Sequence, residues 1–430
     1  MKQIVVLGGG ASGLELVSKL SRQFRHNKQV ALTLIDRHRT HLWKPLLHEV
    51  AAGIIDKISD GVDYRMHAVR FGYAFQQGVF TSIDTQEKTI TIEGVKDAEG
   101  RVIAAPQTIS YDILIISVGS KSNDFGIPGV AEHSYFLDSL PQAEKFHNAL
   151  LNQMLRLNEF VHPDHKLRIS IVGAGATGTE LAAVLYHAVE LAKSYGMPKV
   201  TPERLEITLI EAGDRILPAL PKRIADYARR ALVKLQVTIL ENTRISQATK
   251  QGFVTADGEL ILSDLMVWAA GVKIPSYENQ TRKFDTNLLN QIMVNSYLQV
   301  AKEEDIFAIG DCCGFLQKDG SFVPPRAQSA HQMADIVATN IHRKLKNEPL
   351  QEFVYKEYGS LLNLSTYSAI GSLMGNLTKN TMFIEGKLAR LFYVSLYNMH
   401  QLSVHGWVKG ILLLITKKIS RIVNSKLKLH

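Results

Sequence analysis

Two turns of the form Gly-x-Gly-x-x-Gly, each set between a buried apolar strand and a helix, constrain this chain more than any other feature. The first follows Ile4-Val5-Val6-Leu7 and reads Gly8-x-Gly10-x-x-Gly13; an apolar-periodic helix then leads to a strand, Leu32-Thr33-Leu34-Ile35, ending at Asp36. The second follows Ile169-Ser170-Ile171-Val172, reads Gly173-x-Gly175-x-x-Gly178, and leads on to Ile207-Thr208-Leu209-Ile210 and Glu211. In each, a strand feeds a glycine turn, and the helix N-terminus offers free N–H groups and a positive dipole end to a pyrophosphate. Asp36 and Glu211 stand where a carboxylate accepts hydrogen bonds from a ribose 2′-OH. One such turn is weak evidence. Two complete βαβ units, each with its acid, predict a chain that holds two dinucleotides and passes electrons between them.

The chain has 430 residues, enough for two or three cores. It contains no apolar run long enough to span a bilayer. A strand begins by residue 3, so no signal peptide is expected, and the protein is placed in the cytoplasm unless a later segment tethers it. The two cysteines, Cys312 and Cys313, are adjacent. Neighbours rarely pair, no CxxC dithiol exists, and the two read as a small apolar pair beside a loop. No metal site is expected.

The net charge of +8 is uneven. From Gly386 onward there are eight basic residues, Lys387, Arg390, Lys409, Lys417, Lys418, Arg421, Lys426 and Lys428, and no acid, which leaves residues 1–385 formally neutral. A basic tail is a usual mark of nucleic-acid binding, but this one is too apolar, and no nucleic-acid partner is expected. Leu388, Leu391, Phe392, Leu396, Met399 and Leu402 draw a helical stripe. Trp407-Val408-Lys409-Gly410-Ile411-Leu412-Leu413-Leu414-Ile415 then precedes Lys417, Lys418 and Arg421. That run is too short to cross a membrane. A Trp at its start and lysines past its end suit a helix lying in the interface, held to an anionic lipid surface. A terminal helix packed on the body, or in a homodimer, is the alternative.

The fold expected is α/β, with two Rossmann-like dinucleotide-binding domains, the second inserted in the first, plus a C-terminal amphipathic helical membrane-anchoring region. Strand-like pieces at Gly78–Ile83 and Thr89–Glu93 and a polar turn around Asp97–Gly100 follow the first unit. A buried strand, Ile113-Leu114-Ile115-Ile116, closes on Ser117-Val118-Gly119-Ser120, and Val267-Trp268-Ala269-Ala270-Gly271-Val272 echoes it in the second unit. Asp305–Asp311 reads as a strand ending in Gly-Asp. A helix follows Pro324-Pro325, beginning near Arg326 and running to about Leu345. Residues 1–125 and 290–385 would form one domain, 126–289 the other, and 386–430 the tail.

These residues resemble the two-dinucleotide-domain flavoprotein superfamily that includes the glutathione reductase relatives. There the first fingerprint binds FAD, the second binds NAD(P)H, and a late Gly-Asp, here Gly310-Asp311, meets the ribityl or phosphate part of the flavin nucleotide. Within it the chain resembles, over nearly its full length, the type II NADH dehydrogenases, single-subunit NADH:quinone oxidoreductases. His41-Leu42-Trp43-Lys44-Pro45-Leu46-Leu47 is similar to that family's flavin-contacting loop. Ala327-Gln328-Ser329-Ala330-His331-Gln332 is similar to its AQxAxQ quinone motif. Glu180, in Gly178-Thr179-Glu180, matches an acid placed between flavin, nicotinamide and quinone.

The resemblance implies non-covalent FAD at Gly8, Gly10, Ala11, Ser12, Gly13, Asp36, Lys44, Pro45, Gly119, Asp311, Ala327 and Gln328. It implies NADH at Gly173, Gly175, Thr177, Gly178, Glu180, Glu211, Ala270 and Gly271, and catalytic roles for Glu180, Gln328, Gln332 and Lys44. The acid at Glu211 repels a 2′-phosphate, so NADH is expected over NADPH. Gln328 and Gln332 are four apart and share a helix face; Ala327, Ser329 and Ala330 are small enough to admit a flat ring, and His331 is the weaker candidate. The implied activity is hydride transfer from NADH to FAD, then two-electron reduction of a membrane quinone, without proton pumping. The implied location is the cytoplasmic face of the inner membrane. A sulfide:quinone oxidoreductase needs separated cysteines that this chain lacks; a redox sensor binding both nucleotides without turnover is the rival of another class.

Overall fold

The computed structural model describes every residue except 56–59, 98, 161, 163, 275–283, 365–368, 374–381, 424–426 and 429–430. Its first sheet is parallel and five-stranded, built from β1 (Lys2–Leu7), β2 (Val30–Asp36), β3 (Ala74–Gln77), β4 (Ile113–Ile116) and β9 (Ile306–Ala308), in the order β9-β4-β1-β2-β3. Its second sheet is parallel and four-stranded, from β5 (Leu167–Val172), β6 (Leu205–Ile210), β7 (Thr238–Leu240) and β8 (Leu265–Trp268), in the order β7-β6-β5-β8. Strands β4, β8 and β9 are unbroken, fully buried apolar runs, as expected where βαβ crossovers cover a sheet on both faces. β9 rejoins the first sheet only after the second is complete.

The two units share a plan. Helix α1 (Ala11–Gln23) follows β1, and α4 (Ala176–Ala192) follows β5. In each sheet the strand bearing the fingerprint is flanked on one side by the strand after its helix and on the other by a later strand. That reversal of strand order opens a crevice at the carboxyl ends, where such sheets bind ligands. Each unit also carries a three-stranded antiparallel sheet, Val79–Asp84 with Thr89–Glu93 and Gln107–Ser110, and Ile245–Thr249 with Gly252–Thr255 and Leu260–Leu262.

Among the described residues between β2 and β3 are the short helices α2 (Leu47–Ala51) and α3 (Tyr64–Phe71). Helix α5 (Ala327–Leu345) starts where Pro324-Pro325 led us to expect, with Arg326 in extended conformation before it. A small antiparallel sheet follows, β10 (Gly359–Asn363), β11 (Ala369–Leu373) and β12 (Met382–Glu385), and then α6 (Gly386–His405) and α7 (Trp407–Val423).

Helix α6 buries Tyr393, Tyr397, His400, Gln401 and Val404 and leaves Leu391, Leu396 and Met399 exposed. Half of the six-residue apolar stripe read from the sequence therefore points outward, Phe392 and Leu402 are half-buried, and the buried face carries the polar groups. Helix α7 likewise exposes Trp407, Val408, Ile411, Leu412, Ile415 and Ile419. Among the described residues no helix is long and apolar enough to cross a membrane. One expectation about the tail fails. Lys417 is turned inward, its Nζ 3.1 Å from Asp60 Oδ1 and 2.7 Å from the Tyr397 hydroxyl, because a buried aspartate on another segment left without a counter-charge would be strongly destabilising. Lys426 lies outside the described residues, as do the side chains of Lys387, Leu388, Arg390, Lys418 and Arg421.

Candidate active site

The glycines of the two fingerprints divide by role. Gly8 and Gly173 have φ of +96° and +101°, and a Cβ on either would collide with the later flanking strand, at Ser117 and at Ala269–Ala270. A Cβ on Gly13 or Gly178 would strike the carbonyl oxygen of Gly8 or Gly173, so these two set the close approach of helix to strand. At Gly10 and Gly175, by contrast, a Cβ would meet no atom within 4 Å. The fold itself does not need glycine there. A ligand backbone-close to the helix N-terminus does, and both cradles fit a pyrophosphate.

Each acid locks its own turn. Asp36 Oδ2 accepts the Gly9 N–H at 2.7 Å and Oδ1 the His38 N–H at 2.7 Å. Glu211 accepts from Ala174 N and from Gly213 N, both at 2.9 Å. A carboxylate has about four acceptor sites, so two remain on each for ribose hydroxyls. Asp311 accepts the Ser120 hydroxyl at 2.5 Å, and Lys44 donates to the Ser120 carbonyl at 2.9 Å. The late Gly-Asp, the turn holding Gly119 and the loop holding Lys44-Pro45 therefore meet at the end of β4, while Ser12 pairs with Ser117 at 2.7 Å beneath them. Ala11 and Thr177 sit in the first turns of α1 and α4, and Ala270-Gly271 follows β8.

Glu180 is buried at the meeting of three segments. Its Oε1 accepts the Asn363 N–H at the end of β10 at 2.8 Å, and its Oε2 lies 3.6 Å from His48 Nδ1. Burial is the largest influence and raises its carboxyl to about 8; the Asn363 N–H works against this and the neighbouring Glu49 with it. His48 supplies no compensating cation, since burial lowers it to about 4. The proton belongs on Glu180. Asn363, Glu49 and His48 were not found from the sequence, and no local pattern marks them: Asn363 is distant in the chain and touches Glu180 through its backbone.

Gln328 and Gln332 do share a face, but both grip the segment leading into β10. Gln332 donates to Lys356 O at 2.8 Å and accepts from Lys356 N at 3.0 Å, as a strand neighbour would. Gln328 donates to Glu357 Oε1 at 2.6 Å and to Gly359 O at 3.1 Å, and accepts from Tyr358 N. Strand β10 thus runs from Gln328 at its start to Glu180 at its end, about 13 Å at ordinary strand rise. Of the three small residues, Ser329 and Ala330 face the core, with the Ser329 hydroxyl on Pro324 O, leaving Ala327 alone partly open. His331 pairs with buried Glu15 at 2.5 Å, a structural partner. Both cysteines are buried free thiols, and burial pushes Cys312 up to about 11 and Cys313 well above its ordinary value. Neither is a thiolate available for sulfur chemistry.

Comparison with known proteins gives the family and the fold. The family model described as pyridine nucleotide-disulphide oxidoreductase matches residues 2–334. A type II NADH:quinone oxidoreductase of Haemophilus influenzae is 41% identical over 444 aligned positions that cover 100% of both chains. One of the same name from Staphylococcus aureus is 28% identical, covering 87% of this chain and 90% of its own. Among solved structures, NDH2 of Plasmodium falciparum in complex with NADH superposes with a TM-score of 0.82 at 19% identity, covering 97% of this chain and 98% of that one. The sulfide:quinone oxidoreductase of Aquifex aeolicus, with a TM-score of 0.74 at 18% identity over 98% and 95% of the two chains, has the same overall fold.

Proposed function

The chain belongs to the type II NADH:quinone oxidoreductases, within the pyridine nucleotide-disulphide oxidoreductase family, and from that premise we propose how its residues divide the work. The first cradle, with Gly10, Asp36 and Asp311, holds FAD, and the second, with Gly175 and Glu211, holds NADH. Bound FAD supplies the hydride acceptor and the two-electron donor that join the two half-reactions. Residues 1–125 with 290–385 make the FAD-binding part and 126–289 the NADH-binding part. Lys44 orients the turn at Ser120 and brings a cation to the flavin end of the site. Glu211 favours NADH by repelling a 2′-phosphate.

Glu180 keeps a proton at neutral pH and delivers it to the quinone, with Gln328 at the other end of β10 orienting that substrate. The observation that carries this reading is the strand itself, which ties the two residues singled out for quinone chemistry into one wall. The outward apolar face of α6 and α7, with Trp407 and Lys409 exposed on it, lays the protein on an anionic lipid surface where quinone is dissolved. Purified protein is expected to oxidise NADH rapidly when a soluble quinone is supplied; slow NADH oxidation that quinone does not accelerate would overturn the assignment in favour of a sensor.

A further inference from the structure

The buried face of α6 carries a polar group that none of this uses. His400 lies between α1 and the loop after β2, fully enclosed. Its Nδ1 is 2.6 Å from Glu15 Oε1, and its Nε2 is 3.0 Å from His41 Nε2. His41 Nδ1 is 3.0 Å from the Gly9 carbonyl, which also accepts the Tyr64 hydroxyl at 2.6 Å. Trp43 stacks on the His400 ring, centroids 5.9 Å apart at 16°.

The partners form an unbroken chain from Glu15 to the Gly9 carbonyl. A carbonyl only accepts, so His41 Nδ1 carries the hydrogen that it donates to Gly9. Glu15 is held well below the usual carboxylate range by His331 and His400 in spite of its burial, so its carboxylate accepts from His400 Nδ1 and fixes the ring that His41 meets.

The far end of the chain is the FAD fingerprint. The Gly9 carbonyl and the Gly10 N–H belong to one trans peptide and point in opposite directions. Pinning the carbonyl toward His41 and Tyr64 aims that N–H the other way, into the open cradle at Gly10. The Gly9 N–H is meanwhile held by Asp36. Resting on the assignment of the first cradle to FAD, we propose that His400, held in place by Glu15, is a positioning residue for FAD: through His41 it fixes the Gly9–Gly10 peptide that grips the phosphates. Retention of FAD is thereby tied to the docking of α6.

Release of FAD from the holoenzyme, followed by the rise in free-flavin fluorescence at neutral pH, tests the proposal without any turnover. His400→Leu should release FAD about tenfold faster than the wild type. His400→Gln, whose amide reaches the place of Nε2 and keeps a hydrogen bond to His41, should release it at close to the wild-type rate. Wild-type release from His400→Leu, or equally fast release from both variants, would overturn the proposal. Should His400→Leu fail to fold, His41→Phe decides, since it removes only the donor to the Gly9 carbonyl: faster release supports the proposal and wild-type release refutes it. Protein that never carries FAD would instead refute the cofactor assignment.

Discussion

Replacing Glu180 by glutamine removes one ionisation and little else, since the amide keeps the shape and its oxygen still accepts the Asn363 N–H. In the wild type the carboxyl ionises near 8 instead of 4.5. Between those values the folded protein keeps a proton that the unfolded chain has released. The folded state binds more protons there, so this group's contribution is full below the unfolded pKa and is lost as pH rises through the folded one. The slope is about 1.4 kcal/mol per pH unit, and the whole window amounts to about 5 kcal/mol at most. Glu180→Gln lacks that slope. Melting curves of the two FAD-loaded proteins should nearly coincide at about pH 5, separate in favour of the variant as pH rises, and run parallel above about pH 8. Turnover should move the other way. With no proton to give, the variant loses about a hundredfold or more in quinone reduction, while NADH oxidation by ferricyanide, which takes electrons without protons, is kept. A melting gap that is the same at every pH would show that Glu180 is already ionised in the fold, and the proton-delivery reasoning would be refuted with it.

The two kinds of fingerprint glycine give opposite outcomes. Gly10→Ala should fold normally and lose FAD, read from the flavin-to-protein ratio, and Gly175→Ala should keep FAD and raise KM for NADH about tenfold or more; Gly13→Ala and Gly178→Ala should fail to fold. Glu211→Gln should narrow the preference for NADH over NADPH about tenfold in kcat/KM by removing the charge that repels a 2′-phosphate. Trp407→Asp with Ile411→Asp should abolish sedimentation with anionic vesicles and leave reduction of a water-soluble quinone unchanged; full sedimentation would place the outward face against another protein chain.

Local geometry is what the sequence made readable. A glycine turn, the strand before it and the acid after it lie within a few dozen residues and obey one steric logic, so both cradles, Asp36, Glu211 and the Gly-Asp at Asp311 were found where the structure has them. The start of α5 was fixed by two prolines for the same reason. What stayed hidden depends on groups far apart in the chain. Nothing near Glu180 announces that a backbone N–H from Asn363 will hold it, and nothing near Gln328 and Gln332 announces that a passing segment will occupy their amides. Lys417 looked like one more cation of a basic tail because the charge pattern around it is uniformly positive; its partner, Asp60, lies at the other end of the chain. The stripe on α6 was seen as apolar residues at helical spacing, yet the residue of that helix buried between Glu15 and His41 is His400, on the face the pattern treats as polar.

Strand β9 also says something about order in time. It forms the edge of the first sheet beside β4, with all of the second sheet encoded in between. At ordinary rates of synthesis that interval takes roughly 10 to 40 seconds. Throughout it, the outer edge of β4 offers unpaired backbone groups to any other strand, the situation that favours aggregation. The second module has no such long gap, since its whole parallel sheet is encoded between Leu167 and Trp268, and it can close as soon as β8 has emerged. The half of the protein that is made first is therefore finished second, and Asp311 arrives with β9. A chain halted before residue 306 would hold a complete second sheet and a first sheet with a raw edge, so nonsense products of this gene should be handled by the cell as sticky intermediates even though most of their sequence is intact.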